Sequence, residues 1–274
     1  MVVMIVVYRR SIKKESFHPT QYQPFTLIKK VLLNHDSRMY RFRLPSSNHA
    51  ALPVGRHAVF RLKDKDGNHV AKPYTPSTYS YTADYIDFVF KTYFPDEDTG
   101  YPGGKMTMLL EKLQEGDVVE MKGPIGRLSY KGDGVFNDKK YGKDRKITKI
   151  GMIAGGSGIV PMINIIAAVL RDECPIKISL LYANKTEEDI VLRKMLEKLE
   201  AFSPGFSLHY TLDHPPPGWT HDSGYITTEM VVKYMPEPGA ETMIFYSGPK
   251  DMCKLCVMPA LAALKYEDEM LFKY

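Results

Sequence analysis

The sequence has 274 residues, enough for about two domains with their own cores, and its 44% hydrophobic and 25% charged residues exclude a disordered or fibrous chain. Three cysteines are too few for a disulfide framework or a four-thiolate iron–sulfur cluster; they favour a reducing compartment, and we predict no metal site. The net charge of +5 is too small to indicate nucleic acid binding, but it suits an acidic protein partner.

Residues 1–20 are predicted to be an N-terminal tail. Met1–Val7 is apolar and precedes Arg9 and Arg10, but a helix that spans a bilayer needs about 20 apolar residues. No basic segment precedes this stretch and no small-residue cleavage site follows it, so it does not resemble a secretory signal. We expect a disordered tail or an added edge strand. The alternative is the remnant of a membrane anchor, through which the protein would associate with a membrane.

Residues 21–130 are predicted to form an antiparallel β-barrel, because short runs of β-forming residues alternate with turn residues. Asp66-Gly67-Asn68 indicates a tight turn between two of the strands. One stretch has helical spacing, Met106–Gln114, and Gly116 ends it. The predicted strands are Phe25–Leu33, Met39–Leu44, His57–Lys63, Tyr85–Tyr93 and Asp117–Lys122.

Residues 131–146 are rich in Gly, Asp and Lys and are predicted to be a linker. From residue 147 to 274, apolar strands alternate with helical patterns, which is typical of a parallel, Rossmann-like sheet wrapped by helices. The predicted strands are Ile147–Ala154, Ile176–Tyr182, Phe206–Leu212 and Met243–Ser247. The predicted helices are Pro161–Arg171, Glu187–Glu200, Thr227–Tyr234 and Met252–Leu264.

A glycine-rich turn, Gly155–Gly158, directly follows the first strand of this second half and leads into a helix that begins near Pro161. Glycines allow a sharp turn and close approach to a ligand, and a helix N-terminus attracts an anion such as pyrophosphate. The spacing differs from the dinucleotide fingerprint, because Pro161 stands where the third glycine would be. The turn is therefore either a nucleotide site or a plain connection, and its α/β context favours a nucleotide.

Three further motifs lie in the barrel half. Lys72–Ser77 places a cation and an aromatic ring with hydroxyl groups in a segment that two prolines keep extended. Val89–Phe94 carries Lys91 and Tyr93 on one face of a strand, and Gly103–Thr107 opens the barrel's one predicted helix. Taken separately, Lys72–Ser77 is more commonly a Pro-rich turn with a surface lysine, and Gly103–Thr107 is also consistent with a capping turn that binds nothing.

In register, these motifs resemble those of the NADH–cytochrome b5 reductase family, within the ferredoxin–NADP reductase-like flavoenzymes. Lys72–Thr78 is similar to the family's Arg-Pro-Tyr-Thr/Ser flavin motif, and Val89–Phe94 to Val-Ile-Lys-Val-Tyr-Phe. Gly103–Thr107 resembles Gly-Gly-Lys-Met-Ser/Thr. Gly155–Pro161 resembles the nicotinamide motif Gly-Gly-Thr-Gly-Ile-Thr-Pro, and Ser247–Lys250 resembles Cys-Gly-Pro-Pro. The resemblance extends from about Phe25 to the end of the sequence.

The resemblance implies an FAD-binding barrel followed by an NADH-binding α/β domain. NADH would deliver a hydride to flavin N5, and the reduced flavin would pass single electrons to cytochrome b5. Thr75 would present its hydroxyl near N5, His57 would connect Thr75 to solvent for proton movement, and Ser247 would lie close to the nicotinamide. The residues that would hold FAD are Lys72, Pro73, Tyr74, Thr75, Val89, Lys91, Tyr93, Phe94, Gly104, Lys105, Met106, Thr107 and Val160.

The resemblance also implies residues for NADH, which are Gly155, Gly156, Ser157, Gly158, Asp213, Gly248 and Pro249. Asp213 would accept from the adenine-ribose 2′-hydroxyl and repel a 2′-phosphate, which favours NADH over NADPH. Its alternative role is to cap the turn that follows. Lone strand histidines such as His57 are more often structural than catalytic.

Four positions depart from the family pattern. Lys72 replaces an arginine and loses the bidentate fork toward pyrophosphate, and Val160 replaces a threonine. Ser247 replaces a cysteine, and Lys250 replaces a proline near the nicotinamide entrance. We expect the chemistry to persist, because hydride transfer belongs to the cofactors. The alternatives are a related flavoreductase with another haem or redox acceptor, and a nucleotide-binding interaction protein without turnover.

Six cations crowd the region around the predicted linker: Lys139, Lys140, Lys143, Arg145, Lys146 and Lys149. They are either a solvated face or a surface that steers cytochrome b5, or a similar acidic haem protein, toward the flavin. The resemblance implies a monomer on the cytoplasmic side, either soluble or peripherally associated with the endoplasmic reticulum or the mitochondrial outer membrane.

Overall fold

A computed structural model describes residues 16–44, 52–77 and 84–274 of the chain. The predictions for Met1–Val7 and for Thr78 lie outside the described residues. Within the described ranges, no helix is long and apolar enough to cross a membrane. The described chain forms two six-stranded sheets and one three-stranded sheet, which follow one another in the sequence as barrel, small sheet and parallel sheet.

The first six-stranded sheet is antiparallel, as predicted. Its strands are β1 (Gln23–Leu32), β2 (Ser37–Arg43), β3 (His57–Lys63), β4 (His69–Tyr74), β5 (Tyr85–Lys91) and β6 (Val118–Ile125). They pair in the order β4–β3–β6–β1–β2–β5. Tyr74 and Phe90 lie on the two outermost strands of this order, yet their ring centroids are 4.6 Å apart. The sheet therefore curls around an aromatic core into the predicted barrel.

The predicted turn between β3 and β4 is confirmed. Asp64 Oδ1 accepts hydrogen bonds from the backbone N–H groups of Asp66 at 3.0 Å and Asn68 at 2.9 Å. This turn reverses the direction of the chain, so Pro73 and Tyr74 lie at the end of β4 that is farther from the turn. The barrel's helix α1 (Lys105–Glu111) is shorter than the predicted Met106–Gln114 and buries Met106 and Leu110 in the barrel core.

The segment predicted to be a linker carries regular structure. Residues 131–146 contribute two strands of the three-stranded antiparallel sheet, which consists of β7 (Leu128–Tyr130), β8 (Val135–Asp138) and β9 (Lys143–Lys146). Phe136 is buried against Tyr130, with ring centroids 4.8 Å apart, and against Phe245 of the parallel sheet at 5.8 Å. One buried aromatic ring among polar residues was too weak a pattern to predict these strands. The domain boundaries themselves stay predictions.

The second six-stranded sheet is parallel throughout, as predicted. Its strands are β10 (Lys149–Gly155), β11 (Lys177–Asn184), β12 (Phe206–Leu212), β13 (Asp222–Ser223), β14 (Thr242–Ser247) and β15 (Leu271–Lys273). They pair in the order β13–β12–β11–β10–β14–β15. Neighbouring residues of β10, Met152 and Ile153, are buried in separate apolar clusters because successive side chains of a strand point to opposite faces. Both faces of the sheet are thus covered.

Four α-helices cover this sheet: α2 (Val160–Arg171), α3 (Arg193–Phe202), α4 (Thr228–Tyr234) and α5 (Met258–Ala263). The predicted helix Glu187–Glu200 is interrupted. A 3₁₀ turn, Glu187–Asp189, precedes Leu192, whose φ of 61° breaks the helical path before α3 begins. The predicted helix Met252–Leu264 starts as a π-helix, Met252–Val257, and continues as α5.

Candidate active site

A cavity of about 500 Å³ lies between the barrel and the parallel sheet, and both contribute its walls. This volume lies within the range of pockets that hold small molecules and cofactors. Eleven of the predicted site residues line it: His57, Pro73, Tyr74, Thr75, Val89, Lys91, Tyr93, Thr107, Ser157, Val160 and Ser247. The structure thus brings together motifs that are separated by more than half of the chain.

The barrel wall of the cavity is built from the ends of β4 and β5. Tyr74 packs edge-on against Phe60 and Phe90, and burial raises the pKa of its hydroxyl, with a smaller contribution from Tyr93. Its ring is therefore fixed and stays neutral. Thr107 on α1 donates to the carbonyl of Gly104 at 3.1 Å and accepts from the backbone N–H of Tyr93 at 3.3 Å. These bonds tie the start of α1 to the end of β5.

His57 begins β3 and lines the same cavity as Thr75. Burial lowers the pKa of its imidazole, and the neighbouring charge of Arg56 lowers it further, so the ring is neutral near pH 7. Gly126 has a φ of +113°, and a Cβ there would lie 3.1 Å from His57 Nδ1. The glycine therefore leaves the space that the imidazole ring occupies beside the cavity.

The parallel-sheet wall consists of two turns that touch each other. A Cβ on Gly158 would lie 2.1 Å from the carbonyl oxygen of Ser247, and a Cβ on Gly248 would lie 3.1 Å from the Cα atom of Gly155. Only glycines permit this contact between the turns that follow β10 and β14. Gly156 has a φ of +51° and open space where its Cβ would be, so the turn presents bare backbone. The two predicted nicotinamide motifs are thereby joined.

Tyr93 and Ser157 connect the two walls. The Tyr93 hydroxyl lies 3.1 Å from Ser157 Oγ, although the two residues belong to the barrel and to the glycine turn respectively. Both line the cavity. Tyr93 is 43% exposed, so its ring borders the opening of the cavity as well as the joint between the domains.

Eleven predicted site residues do not line the cavity, and they are Lys72, Phe94, Gly104, Lys105, Met106, Gly155, Gly156, Gly158, Asp213, Gly248 and Pro249. Lys105 Nζ lies 3.4 Å from Asp64 Oδ2 and its side chain is 71% exposed, whereas Met106 is buried in the barrel core. Lys72 is exposed on β4 beside the cavity residue Pro73. Six of the eleven directly adjoin a cavity residue in sequence: Lys72, Phe94, Met106, Gly156, Gly158 and Gly248.

Asp213 directly follows β12, beside the end of β11. Its backbone N–H donates to the carbonyl of Asn184 at 3.1 Å, and that of His214 donates to Lys185 at 2.8 Å. These bonds hold the residue at the carboxyl edge of the parallel sheet, the edge at which open α/β sheets bind their ligands. Its side chain is half-buried.

The sequence analysis missed several cavity residues, chiefly Arg127 and the final segment Phe272, Lys273 and Tyr274. That segment extends β15, which pairs with β14 in parallel over three residues only. A three-residue strand carries no periodicity, and its partner lies about thirty residues away, so no local pattern indicated it. The Arg127 guanidinium lies 4.7 Å from the Phe272 ring and links the barrel to this segment.

The cavity fits a flat, polar-edged cofactor that spans both domains. Tyr74 and Val89 supply apolar wall, and Thr75 and His57 supply polar atoms on the barrel side. The Tyr274 hydroxyl is buried without a hydrogen-bond partner among the residues that the structure describes. An unpaired buried hydroxyl is costly, and a ligand with acceptor atoms would satisfy it. The residues present thus fit a flavin on one side and a nicotinamide on the other.

Comparisons with known proteins agree with this division. Residues 24–130 match the family model of the oxidoreductase FAD-binding domain, and residues 152–257 match that of the oxidoreductase NAD-binding domain. The cytochrome b5 reductase domain of Ulva prolifera nitrate reductase superposes with a TM-score of 0.89 at 32% identity, covering 95% of this chain and all of that one. The fold and the site therefore define a two-domain FAD- and NAD-binding oxidoreductase.

Sequence relatives narrow the class. NADH-cytochrome b5 reductase 1 of Bos taurus is 42% identical over 93% of this chain and 86% of its own length. NADH-cytochrome b5 reductase 2 of Rattus norvegicus is 40% identical over 96% of this chain and all of its own. The chain belongs to the NADH–cytochrome b5 reductase family and is an FAD-dependent NADH reductase. The predicted family, fold and cofactors are confirmed.

Proposed function

We propose that this reductase transfers electrons from NADH to a cytochrome b5 or a similar acidic haem protein, with the interdomain cavity as its active site. The observation that carries the proposal is that one cavity of about 500 Å³ joins the predicted flavin wall to the predicted nicotinamide wall. FAD, when bound, supplies the chemistry: it accepts a hydride at N5 and releases electrons one at a time. The protein's own task is to align the two cofactors and exclude water.

On the barrel side, Thr75 and His57 are the proposed proton-handling pair. Both line the cavity, and the lowered pKa of His57 keeps its imidazole neutral near pH 7. A neutral imidazole can accept a proton at one nitrogen while it donates from the other. His57 is therefore suited to carry a proton between the Thr75 hydroxyl and solvent.

The cofactor phosphates are assigned to the cations and backbone beside the barrel wall. Lys72 and Lys105 are both exposed and flank the cavity residues Pro73 and Thr107 in sequence. The backbone from Gly104 to Thr107 forms the start of α1, where N–H groups are available to an anion. Tyr74, Val89, Tyr93, Phe94, Met106 and Val160 supply the aromatic and apolar support around these groups.

On the parallel-sheet side, NADH is assigned to the two touching turns. Gly155, Gly156, Ser157 and Gly158 present backbone toward the nucleotide, and Ser247, Gly248 and Pro249 face the nicotinamide. Asp213, held at the carboxyl edge of β12, would accept from a ribose 2′-hydroxyl and repel a 2′-phosphate. This arrangement favours NADH over NADPH.

The surface proposed for the haem partner is smaller than the cationic segment predicted from the sequence. Lys140 is paired with Asp268, and Lys143 Nζ lies 2.8 Å from Glu269 Oε2, so these two cations are neutralised by the acids that precede β15. Lys273 and Lys139 remain exposed. Lys273 lines the cavity, and the backbone N–H of Lys139 donates to the carbonyl of the cavity residue Arg127. These cations would steer an acidic partner toward the cavity.

The test is the rate at which NADH-reduced protein reduces cytochrome b5 over a range of ionic strength. The Debye length is about 8 Å at physiological salt, so the rate should fall as salt rises, while reduction of an uncharged quinone changes little. The double variant Lys139→Glu, Lys273→Glu should reproduce the high-salt rate at low salt. Its matched control carries Lys194→Glu and Lys198→Glu on α3, with the same change in net charge.

Equal slowing by the two double variants would show that net charge, and not this surface, governs encounter. A rate with cytochrome b5 that does not depend on salt would mean that the partner docks elsewhere or is a different redox protein. Flavin reduction by NADH, measured on the same variants, separates a defect in docking from a defect in the active site.

A further inference from the structure

The ammonium group of Lys91, at the end of β5, contacts carboxylates of both domains. Lys91 Nζ lies 2.6 Å from Asp36 Oδ2 and 3.1 Å from Asp189 Oδ1. Asp36 belongs to the hairpin between β1 and β2 of the barrel, whereas Asp189 ends the 3₁₀ turn that follows β11 of the parallel sheet. The ion pair with Asp36 is internal to the barrel, and the ion pair with Asp189 crosses between the domains.

This junction is largely shielded from water. The exposed fractions of the side chains are 18% for Lys91, 11% for Asp36 and 13% for Asp189. Burial works against the charge of Lys91, but the hydrogen bonds to both carboxylates outweigh it and raise the pKa of the ammonium. Burial is likewise outweighed at Asp189, whose pKa is lowered by hydrogen bonds from Thr186 and Lys91. The pair therefore stays charged, and salt screens it less than a surface pair.

Asp189 is fixed on its own domain before it meets Lys91. Its Oδ2 accepts from the Thr186 backbone N–H at 3.1 Å and from Thr186 Oγ1 at 2.9 Å, which closes a capping box. Its Oδ1 accepts from Lys91 at 3.1 Å and lies 3.5 Å from Nε2 of His35, an exposed residue of the β1–β2 hairpin. One oxygen thus anchors the carboxylate within the parallel-sheet domain, and the other binds the barrel.

Two neutral contacts lie on either side of this ion pair. Asn34 Nδ2 in the β1–β2 hairpin donates to the carbonyl of Glu188 at 2.9 Å. Tyr93, two residues after Lys91, has its hydroxyl 3.1 Å from Ser157 Oγ. Lys91, Tyr93 and Ser157 all line the interdomain cavity, so the contacts between the domains also form the rim of the site.

We propose that Asp189 is a positioning residue for hydride transfer: through Lys91 it holds the NADH-binding domain against the barrel and fixes the separation of the cavity walls. The inference rests on the proposed function, because it concerns the alignment of NADH with FAD. Lys91 lines the cavity, but its ammonium is engaged by the two carboxylates, which makes it a link between domains as well as a predicted FAD residue.

The decisive comparison is between Asp189→Asn and Asp36→Asn. Each variant removes one carboxylate from Lys91, but only Asp189 belongs to the opposite domain. Asp189→Asn should slow flavin reduction at saturating NADH by about tenfold, since misplacement by about 1 Å costs up to 100-fold in such reactions. Asp36→Asn should stay close to the wild-type rate. Both variants should retain FAD.

A third variant separates positioning from capping. Thr186→Val removes the hydroxyl that Asp189 accepts from but leaves the carboxylate, so it should lower the melting temperature without slowing flavin reduction. In the background of Lys91→Gln, the Asp189→Asn substitution should have a much smaller further effect on the rate, because only the exposed His35, whose Nε2 lies 3.5 Å from Asp189 Oδ1, still reaches this carboxylate from the barrel.

The second readout is emission from Trp219, the single tryptophan of the sequence, which lies in the NADH-binding domain. Bound flavin quenches tryptophan by energy transfer that falls with distance, so Asp189→Asn should increase Trp219 emission in the FAD-loaded protein, and Asp36→Asn should not. Equal rates and equal emission for these two variants would overturn the proposal, as would a Thr186→Val variant as slow as Asp189→Asn. A wild-type protein whose flavin NADH does not reduce would instead refute the proposed function.

Discussion

Replacing Gly158 with alanine should remove most NADH-dependent flavin reduction while FAD stays bound. The added Cβ would lie 2.1 Å from the Ser247 carbonyl oxygen and 2.8 Å from the Gly248 backbone nitrogen. Ordinary contact begins at 3.4 Å, so the two turns would have to separate by roughly 1.3 Å. Both of these neighbours are backbone atoms, which cannot relieve the clash by changing rotamer as a side chain can.

The size of the effect follows from this displacement. Overpacking of a well-packed site costs about 1–3 kcal/mol of folding free energy, which a two-domain protein can sustain. The catalytic cost is of similar size in free energy, about 2.7 kcal/mol, but it is observed directly as a slower reaction, because misplacement of a reacting group by about 1 Å can reduce the rate by about 100-fold. FAD should remain bound, since Gly158 lies on the parallel-sheet wall and the proposed phosphate residues lie on the barrel.

Gly151→Ala is the matched control. Its Cβ would lie 2.5 Å from Ile244 Cδ1, 2.9 Å from Met235 Sδ and 2.9 Å from Pro236 Cδ, all of them side-chain atoms inside the parallel-sheet domain. We expect a comparable loss of stability and a nearly unchanged rate of flavin reduction. Thermal melting, FAD content and stopped-flow bleaching by NADH measure the three quantities. If NADH reduces the flavin of Gly158→Ala as fast as that of Gly151→Ala, the contact between the turns does not position the nicotinamide.

Three further predictions concern single residues. Asp213→Thr should narrow the preference for NADH over NADPH by removing repulsion of the 2′-phosphate; a wild type that uses both equally well would refute the assignment. Lys72→Ala should lower the FAD content after dialysis, whereas Lys72→Arg should maintain or raise it; equal retention by the alanine variant would make Lys72 a surface residue without this role. Because burial, and to a smaller extent Arg56, lowers the pKa of His57, the unfolded chain takes up a proton more readily than the folded protein as the pH falls below about 6.5. The melting temperature of the wild type should therefore fall more steeply than that of His57→Gln between about pH 7 and pH 5. If the two curves of melting temperature against pH run parallel, His57 is not buried in solution.

Local sequence patterns were sufficient for most of the fold. The strand His57–Lys63 and the strand Phe206–Leu212 have the predicted bounds, because each is a β-rich run with clear turn residues on both sides. The break at Leu192 was not predictable, since hydrophobic spacing does not encode the left-handed backbone of a single residue. The strands within residues 131–146 were missed because Phe136 finds its partners in other segments.

The site was predictable to the extent that its residues lie in motifs. Tyr74, Thr75 and Ser157 line the cavity as expected, since a strand end or a glycine turn positions each of them locally. Asp189 and Tyr274 carry no such motif. Their place at the domain interface depends on contacts with distant segments, which hydrophobic periodicity does not encode.

The most direct test of the central claim is the visible absorption spectrum of the purified protein during anaerobic titration with NADH. The account predicts a yellow protein whose flavin absorption bleaches with a stoichiometric amount of NADH and returns when oxidised cytochrome b5 is added. A colourless protein that does not take up FAD, or a yellow one that NADH leaves unchanged, would contradict the assignment of the interdomain cavity as the site of hydride transfer.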